Sequence, residues 1–162
     1  MVSSRVGGFL ALVSGLIASI SVFLVWISMT VDLGIFGSYT TNTTGWSVFS
    51  DGNVDYYMFP LIVLIIGVVV VLFSLIGLAG MKNVAPAKVM GALILLLGVA
   101  CVGLTAYFYF EGVIQPVVDS GLINTEDAMK FFPMGSGIIA ALIAGVLMVV
   151  SGIMGLFANS SD

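Results

Sequence analysis

Four long apolar runs constrain this chain more than any other feature of its sequence. They cover residues 6–30, 57–81, 87–110 and 133–158, and the one charged residue inside them is Lys88, at the start of the third run. A helix that crosses the hydrocarbon core of a bilayer needs about 20 mostly apolar residues. Charged residues make up 7% of the chain, against about 25% in soluble domains. We therefore predict a single integral membrane domain over residues 1–162, built as an all-α bundle of four transmembrane helices.

The first run resembles a secretory signal sequence in one respect, because Arg5 precedes it. Its apolar stretch is much longer than the ~7–15 residues of a signal h-region, and no A-x-A cleavage site follows it. We expect a retained helix here.

The orientation of the bundle follows from its four cations. Arg5, Lys82 and Lys88 flank one side of the predicted spans, and Lys130 lies on the other. Cytoplasmic loops carry an excess of Lys and Arg. This predicts a multi-pass cell-membrane protein with both termini and the short link 82–86 in the cytoplasm. The outer loops are then residues 31–56 and 111–132, which hold seven of the eight acidic residues.

Small residues recur every four positions in two of the spans. Helices approach closely in lipid where such residues meet. The recurrence therefore predicts packing or partner contacts, either within one bundle or with another chain. The positions are Gly7, Ala11, Gly15 and Ser19 in the first span, and Gly137, Ala141 and Gly145 in the fourth.

The first outer loop is rich in β-branched and aromatic residues, which favour strands. We predict an extracellular β-hairpin with strands over residues 35–41 and 44–49 and a turn at Asn42. Trp46, Phe49, Tyr56 and Tyr57 suit an interfacial belt or a contact surface.

The same loop carries two short motifs. Asn42-Thr43-Thr44 matches the N-glycosylation sequon, and Asn159-Ser160-Ser161 matches it on the predicted cytoplasmic side. Asp51, Asn53 and Asp55 alternate as in a calcium loop but lack the later Gly and the distant Glu of an EF-hand. We predict no metal or other cofactor.

In the second loop, Thr125 followed by two acids predicts a short helix over residues 125–132.

Reaction chemistry has little support in this sequence. Histidine is absent, the single cysteine lies in an apolar run, and the four spans lack ionisable groups at mid-depth. We expect no enzyme and no nucleic-acid partner. The lipid bilayer and either other membrane subunits or further copies of the chain are the expected partners. A small-solute channel or transporter formed by a homo-oligomer is the alternative, with a polar path from hydroxyls at Ser14, Ser19, Ser21, Ser74 and Thr105. An outward-facing sensor that uses the acidic loops is a third possibility.

The layout resembles claudin-like and peripheral-myelin-protein-like four-helix membrane proteins, and also the small four-span proteins of archaea and bacteria. The matching features are Trp26 near the outer end of span one, a β-prone first loop with Gly45-Trp46, a short cytoplasmic link and a Gly-rich last span. The resemblance implies a left-handed four-helix bundle whose extracellular β-element makes lateral or facing contacts. The function predicted is that of a structural, accessory or interaction subunit.

Overall fold

The computed structural model describes residues 4–52, 56–78 and 87–157. The prediction of a mainly helical chain with a small two-stranded sheet is confirmed. Three of its helical stretches are long and apolar enough to cross a membrane: Phe59–Leu78, Lys88–Asp119 and Ser136–Leu156. The first helix, α1, covers Ser4–Ser21 and is shorter. The packed helices of these four regions form the bundle.

Helix α1 ends at Ser21, whereas we expected the first span to continue to residue 30. The chain turns and enters strand β1, Val25–Asp32. The Trp46 main-chain N–H donates to the Val22 carbonyl at 2.8 Å, so a distant segment holds the backbone that leaves the helix. A continuous apolar run does not by itself separate a helix from a strand, which is why hydropathy placed this boundary wrongly.

The two strands of the hairpin begin ten and six residues earlier than predicted. Strand β1 pairs antiparallel with β2, Ser38–Thr44, through a turn over residues 33–37. Gly34 and Gly37 supply the positive φ angles of that turn, 64° and 85°. Asn42 is therefore a strand residue opposite Ser28 and not a turn residue.

The predicted second strand, 44–49, is also wrong, because Gly45–Asp51 forms helix α2. The Thr44 hydroxyl accepts the Ser47 N–H at 3.1 Å as an N-cap. Gly52 closes the helix in the left-handed conformation, at φ 62°. A Thr at the N-cap and a Gly just after the last turn are helix-boundary signals, and here they outweigh strand propensity.

The remaining elements follow the predicted order with shifted ends. Helix α3 covers Phe59–Leu78, and α4 covers Ala87–Tyr107. Beyond Tyr107 the chain stays helical, through a π-helical segment Phe108–Ile114 and α5, Gln115–Asp119, where we expected a loop from residue 111. Helix α6, Thr125–Phe131, confirms the predicted short helix, although Asn124 and not Thr125 is its N-cap. Helix α7 is Ser136–Leu156, three residues later than the predicted start of the fourth span.

Close backbone contacts hold the bundle together. Helix α7 lies between α1 and α4, and α1 also packs on α3. A methyl group at Gly98 would lie 2.9 Å from the Gly145 carbonyl oxygen, and one at Gly15 would lie 2.9 Å from that of Gly67. Such distances leave no room for a side chain, so these glycines are what allows the helices to approach.

Candidate interaction surface at the cap

Residues 22–52 and 108–135 form a cap over one end of the bundle, centred on Trp26. The Trp26 side chain is 1% exposed, and its ring meets Phe108 edge-on at 5.4 Å. Its indole Nε1 donates to the Ser21 carbonyl at 2.8 Å, which satisfies one of the orphan acceptors at the end of α1. Methyl groups at Gly45 and Gly137 would come within 2.7 and 2.4 Å of the indole. Trp26 thus joins β1, α2, α7 and the π-helical segment.

The hairpin packs against the segment that joins α6 to α7. Ile27 forms an antiparallel bridge with Met134, and Thr30 and Asp32 line a groove with Asp127, Lys130 and Phe131. Strand β1 therefore runs antiparallel to this segment. The Tyr109 hydroxyl donates to the Phe132 carbonyl at 2.8 Å, which ties the segment to the helical extension of α4. The base of the hairpin is thereby held against the rest of the cap.

That turn exposes large apolar side chains, which we call the hairpin tip: Leu33, Ile35 and Phe36. Ile35 is 95% exposed and Phe36 is 84% exposed. The Asp32 carboxylate accepts the Gly34 N–H at 2.8 Å and so fixes the shape of the turn. Leu122, in the loop between α5 and α6, is also almost fully exposed. Clustered apolar side chains in contact with solvent are typical of a binding surface.

The aromatic residues predicted as loop contacts fall into two groups at the base of the cap. Trp46 stacks on Phe23 at 6.0 Å and lies 5.7 Å from Phe49. Tyr56 meets Tyr107 edge-on at 5.1 Å, with their hydroxyl oxygens 3.3 Å apart. Tyr57 is 40% exposed beside them. Half-exposed rings at the ends of α1, α3 and α4 have the arrangement of an interfacial aromatic belt.

The small residues predicted as packing or partner positions lie at contacts within the chain. Ala11 and Ala141 are fully buried. Gly7 accepts a hydrogen bond from the Ser151 hydroxyl at 2.8 Å, and the Ser19 hydroxyl lies next to Gly67. Gly15, Gly137 and Gly145 contact α3, Trp26 and α4 respectively.

Two other helical glycines face away from these contacts. A methyl group added at Gly77 or at Gly103 would meet no atom of the described residues within 4 Å. These two positions are therefore not used for packing between the described helices.

The charge of the cap is strongly one-sided. Its described ionisable side chains are one cation, Lys130, and six acids: Asp32, Asp51, Glu111, Asp119, Glu126 and Asp127. Lys130 already pairs with Glu126 at 3.6 Å, in a solvent-exposed pair that contributes little to stability. The acids are dispersed, and no group of three metal-ligating side chains occurs within residues 4–52, 56–78 and 87–157. Of the predicted calcium-like series, Asn53 and Asp55 lie outside those ranges.

The buried hydroxyls of the bundle have backbone partners. Ser14, Ser21, Ser74 and Thr105 each donate to a carbonyl three or four residues earlier in their own helix. Ser19 bonds to the Gly15 carbonyl in the same way. This is the usual behaviour of isolated hydroxyls in apolar helices. Each of these five hydroxyls is therefore hydrogen-bonded within its own helix and not to another of the five.

Sequence reasoning missed the hairpin tip, because it assigned Ile35 and Phe36 to a strand. The signal was present as Gly34-Ile35-Phe36-Gly37, two apolar residues between two glycines, which is typical of an exposed turn.

Comparison with known proteins adds no family to this description. No family model matches the chain, and no curated protein shows significant similarity to it. The resemblance to claudin-like proteins stays a prediction.

Proposed function

We propose that this chain is a non-catalytic integral membrane protein that acts as an accessory or interaction subunit. In this proposal its four helical regions cross the bilayer and its cap docks on another membrane-protein subunit. The observation that carries the proposal is the hairpin tip, which presents Ile35 and Phe36 almost fully exposed on a hairpin whose base is packed into the cap. Contact surfaces of this kind concentrate their binding energy in a few apolar anchors.

The proposal takes α1 as the fourth membrane-crossing helix. Its 18 residues extend about 27 Å at 1.5 Å per residue, close to the ~30 Å hydrocarbon core. The aromatic belt at Phe23, Trp46 and Tyr107 then lies at one interface. The 32-residue helix from Lys88 to Asp119 extends about 48 Å, so its last turns stand outside the hydrocarbon as part of the cap.

We place the cap on the outer side of the cell membrane and the opposite end in the cytoplasm. Arg5 and Lys88 lie at that opposite end, in the first turns of α1 and α4, and Lys82 falls in the stretch of sequence that joins α3 to α4. The positive-inside rule gives this orientation. The acidic character of the cap agrees with it, although acids contribute little to insertion.

The charge of the cap favours one kind of partner. Two copies meeting tip to tip would bring two acidic caps together, and like charges facing each other across an interface cost several kcal/mol. An anionic lipid surface would be repelled for the same reason. A protein surface with an apolar pocket bordered by Lys or Arg complements both the tip and the surrounding carboxylates of Asp32 and Asp127.

A channel has less support from the same residues. The candidate path-lining hydroxyls bond to the backbone of their own helices, and a solute path needs polar groups that converge on a cavity. We therefore keep the accessory role as the proposed function.

The test is the native mass and composition of the particle extracted gently from its own membranes. We expect a stoichiometric foreign subunit with the unaltered chain and its loss with the double substitution Ile35→Ser, Phe36→Ser. The matched control is Thr40→Ser, Thr41→Ser, two exposed positions on the same hairpin, which should leave the complex intact. A particle containing only this chain, unchanged by the tip substitutions, would contradict the proposal and direct attention to self-assembly.

A further inference from the structure

Strand β2 has an unprotected edge. Within the described residues it pairs with β1 alone, in a two-stranded sheet. Residues 33–50 carry no charge, and β2 itself contains no proline or glycine. Proteins normally protect an exposed edge strand with lysine, proline, a bulge or a covering segment, because its free backbone groups recruit other strands. The covering here must come from something other than the side chains of β2.

The register identifies which residues face this free edge. The Leu33 N–H donates to the Gly37 carbonyl at 2.8 Å, which marks a hydrogen-bonded pair at the turn. Hydrogen-bonded and non-hydrogen-bonded pairs alternate along an antiparallel ladder. With Val31 opposite Tyr39 and Ser28 opposite Asn42, the pair of Asn42 is non-hydrogen-bonded. The main-chain N–H and C=O of Asn42 therefore point to the free edge.

From this placement we infer that Asn42 is the acceptor of an N-linked glycan, which covers the open edge of β2. The sequon Asn42-Thr43-Thr44 lies on the strand that needs covering, and the Asn42 side chain is exposed. The inference rests on the outward orientation proposed above, because the enzymes that transfer such glycans act on the outer or lumenal side of the membrane.

The side chain of Asn42 is compatible with the modification in the folded hairpin. Its Oδ1 accepts the Ser28 hydroxyl at 2.9 Å, and within the described residues its Nδ2 has no hydrogen-bond partner. Glycan transfer changes only Nδ2. The cross-strand hydrogen bond from Ser28 therefore survives, and the sugar extends into the space beside the free edge.

The chemistry needs one co-reactant, an oligosaccharide linked to a polyprenyl phosphate or diphosphate. Nδ2 of Asn42 forms a bond to the anomeric carbon of the first sugar. The bond from that carbon to the phosphate oxygen breaks, the lipid phosphate leaves, and the amide nitrogen loses one proton. No oxidation or reduction takes place.

The sequon hydroxyl also sets the timing of the step. The Thr44 side chain is the N-cap of α2, accepting from the Ser47 N–H and donating to the Ser47 hydroxyl at 3.1 Å. A transferase that recognises this hydroxyl must reach it before α2 forms. Modification is therefore expected during insertion of the chain and not on the finished fold.

The experiment is synthesis of the full chain in the presence of microsomes that contain an N-glycan transferase, with a control acceptor protein in the same reaction. We expect one glycan, removable by an N-glycosidase, that is lost in Asn42→Gln and in Thr44→Ala and kept in Thr44→Ser. A second acceptor comes from Glu126→Thr, which completes a sequon at Asn124, an exposed residue of the cap that is the N-cap of α6. This variant should carry two glycans.

The other outcomes separate the ways in which the inference can fail. Modification of Asn124 in the Glu126→Thr variant without modification of Asn42 overturns the inference and leaves the orientation standing. Modification at Asn159 in place of both overturns the inference together with the proposed orientation. An unmodified chain beside a modified control protein also overturns it.

Discussion

At the scale of single residues, Trp26 matters most for the cap. It is the largest fully buried side chain of the described residues, and it contacts segments that are far apart in the sequence. Its ring fills the space between α1, the π-helical segment and two glycines, and its N–H caps α1. The second tryptophan, Trp46, is 44% exposed at the base of the cap. The two residues therefore have different roles despite their common chemistry.

Trp26→Ala should destabilise the protein far more than Trp46→Ala. Truncating a fully buried Trp typically costs about 3–5 kcal/mol of the free energy of unfolding. Trp26→Phe should cost less, since it keeps most of the packing and loses the hydrogen bond to Ser21, worth about 1 kcal/mol. Thermal unfolding of the detergent-solubilised chain measures these differences. Equal losses for the two alanine variants would contradict the assigned role of Trp26.

At the scale of elements, the contact between α4 and α7 depends on glycine pairs. A methyl group at Gly98 would lie 2.8 Å from Met148 Cβ, and one at Gly152 would lie 2.7 Å from the Gly91 carbonyl oxygen. The nearest neighbours at these sites are backbone and Cβ atoms, so no side-chain rotation can relieve the overlap. Two helices that are far apart along the chain are thereby fixed in register.

Gly98→Ala should therefore separate α4 from α7 and lower stability by about 1–3 kcal/mol, the usual cost of overpacking. Gly103→Ala is the matched control on the same helix, because its added methyl group would meet no described atom within 4 Å. It should stabilise α4 by about 0.5–1 kcal/mol through helix propensity. Unfolding in a graded denaturant series compares the two variants, and a loss at Gly103 as large as that at Gly98 would refute this account of the contact.

At the scale of the whole molecule, the bundle has two different ends. One carries the packed, acidic cap, and the other carries Arg5 at the start of α1 and Lys88 at the start of α4. The cap is held by contacts between residues remote in sequence, such as Ile27 with Met134 and Tyr109 with Phe132. These contacts make it a single unit with the ends of the helices, and the hairpin tip is the most exposed apolar part of that unit.

The proposed orientation has a direct test with single cysteines. Cys101 is buried, so Cys101→Ser gives a background in which Ser38→Cys reports the cap and Lys88→Cys reports the opposite end. In intact cells a membrane-impermeant maleimide should label position 38, and it should label position 88 only after permeabilisation. Labelling of position 88 in sealed cells would reverse the proposed orientation.

Much of the coarse architecture could be predicted from the sequence. Hydropathy predicts the three long apolar helices, and the capping residues predict the short helix after Asn124. Strand propensity predicts a β-hairpin in the first long connection. The turn of the hairpin also has a local signal, in Gly34 and Gly37, but the end of α1 has none. Residues 22–32 are apolar enough to continue α1, and what ends the helix is the pairing of that backbone with residues 38–46.

The sequence by itself determined that this chain suits a lipid bilayer. Hydropathy is a sum over single residues, so it can be read without knowing which residues are in contact. The sequence also determined that no histidine is available for acid–base chemistry. The tertiary structure alone decided where α1 ends, which glycines meet and which apolar residues are buried. Trp26 and Ile138 are buried, and their burial arises from contacts with segments that are remote in the sequence, which no local pattern encodes.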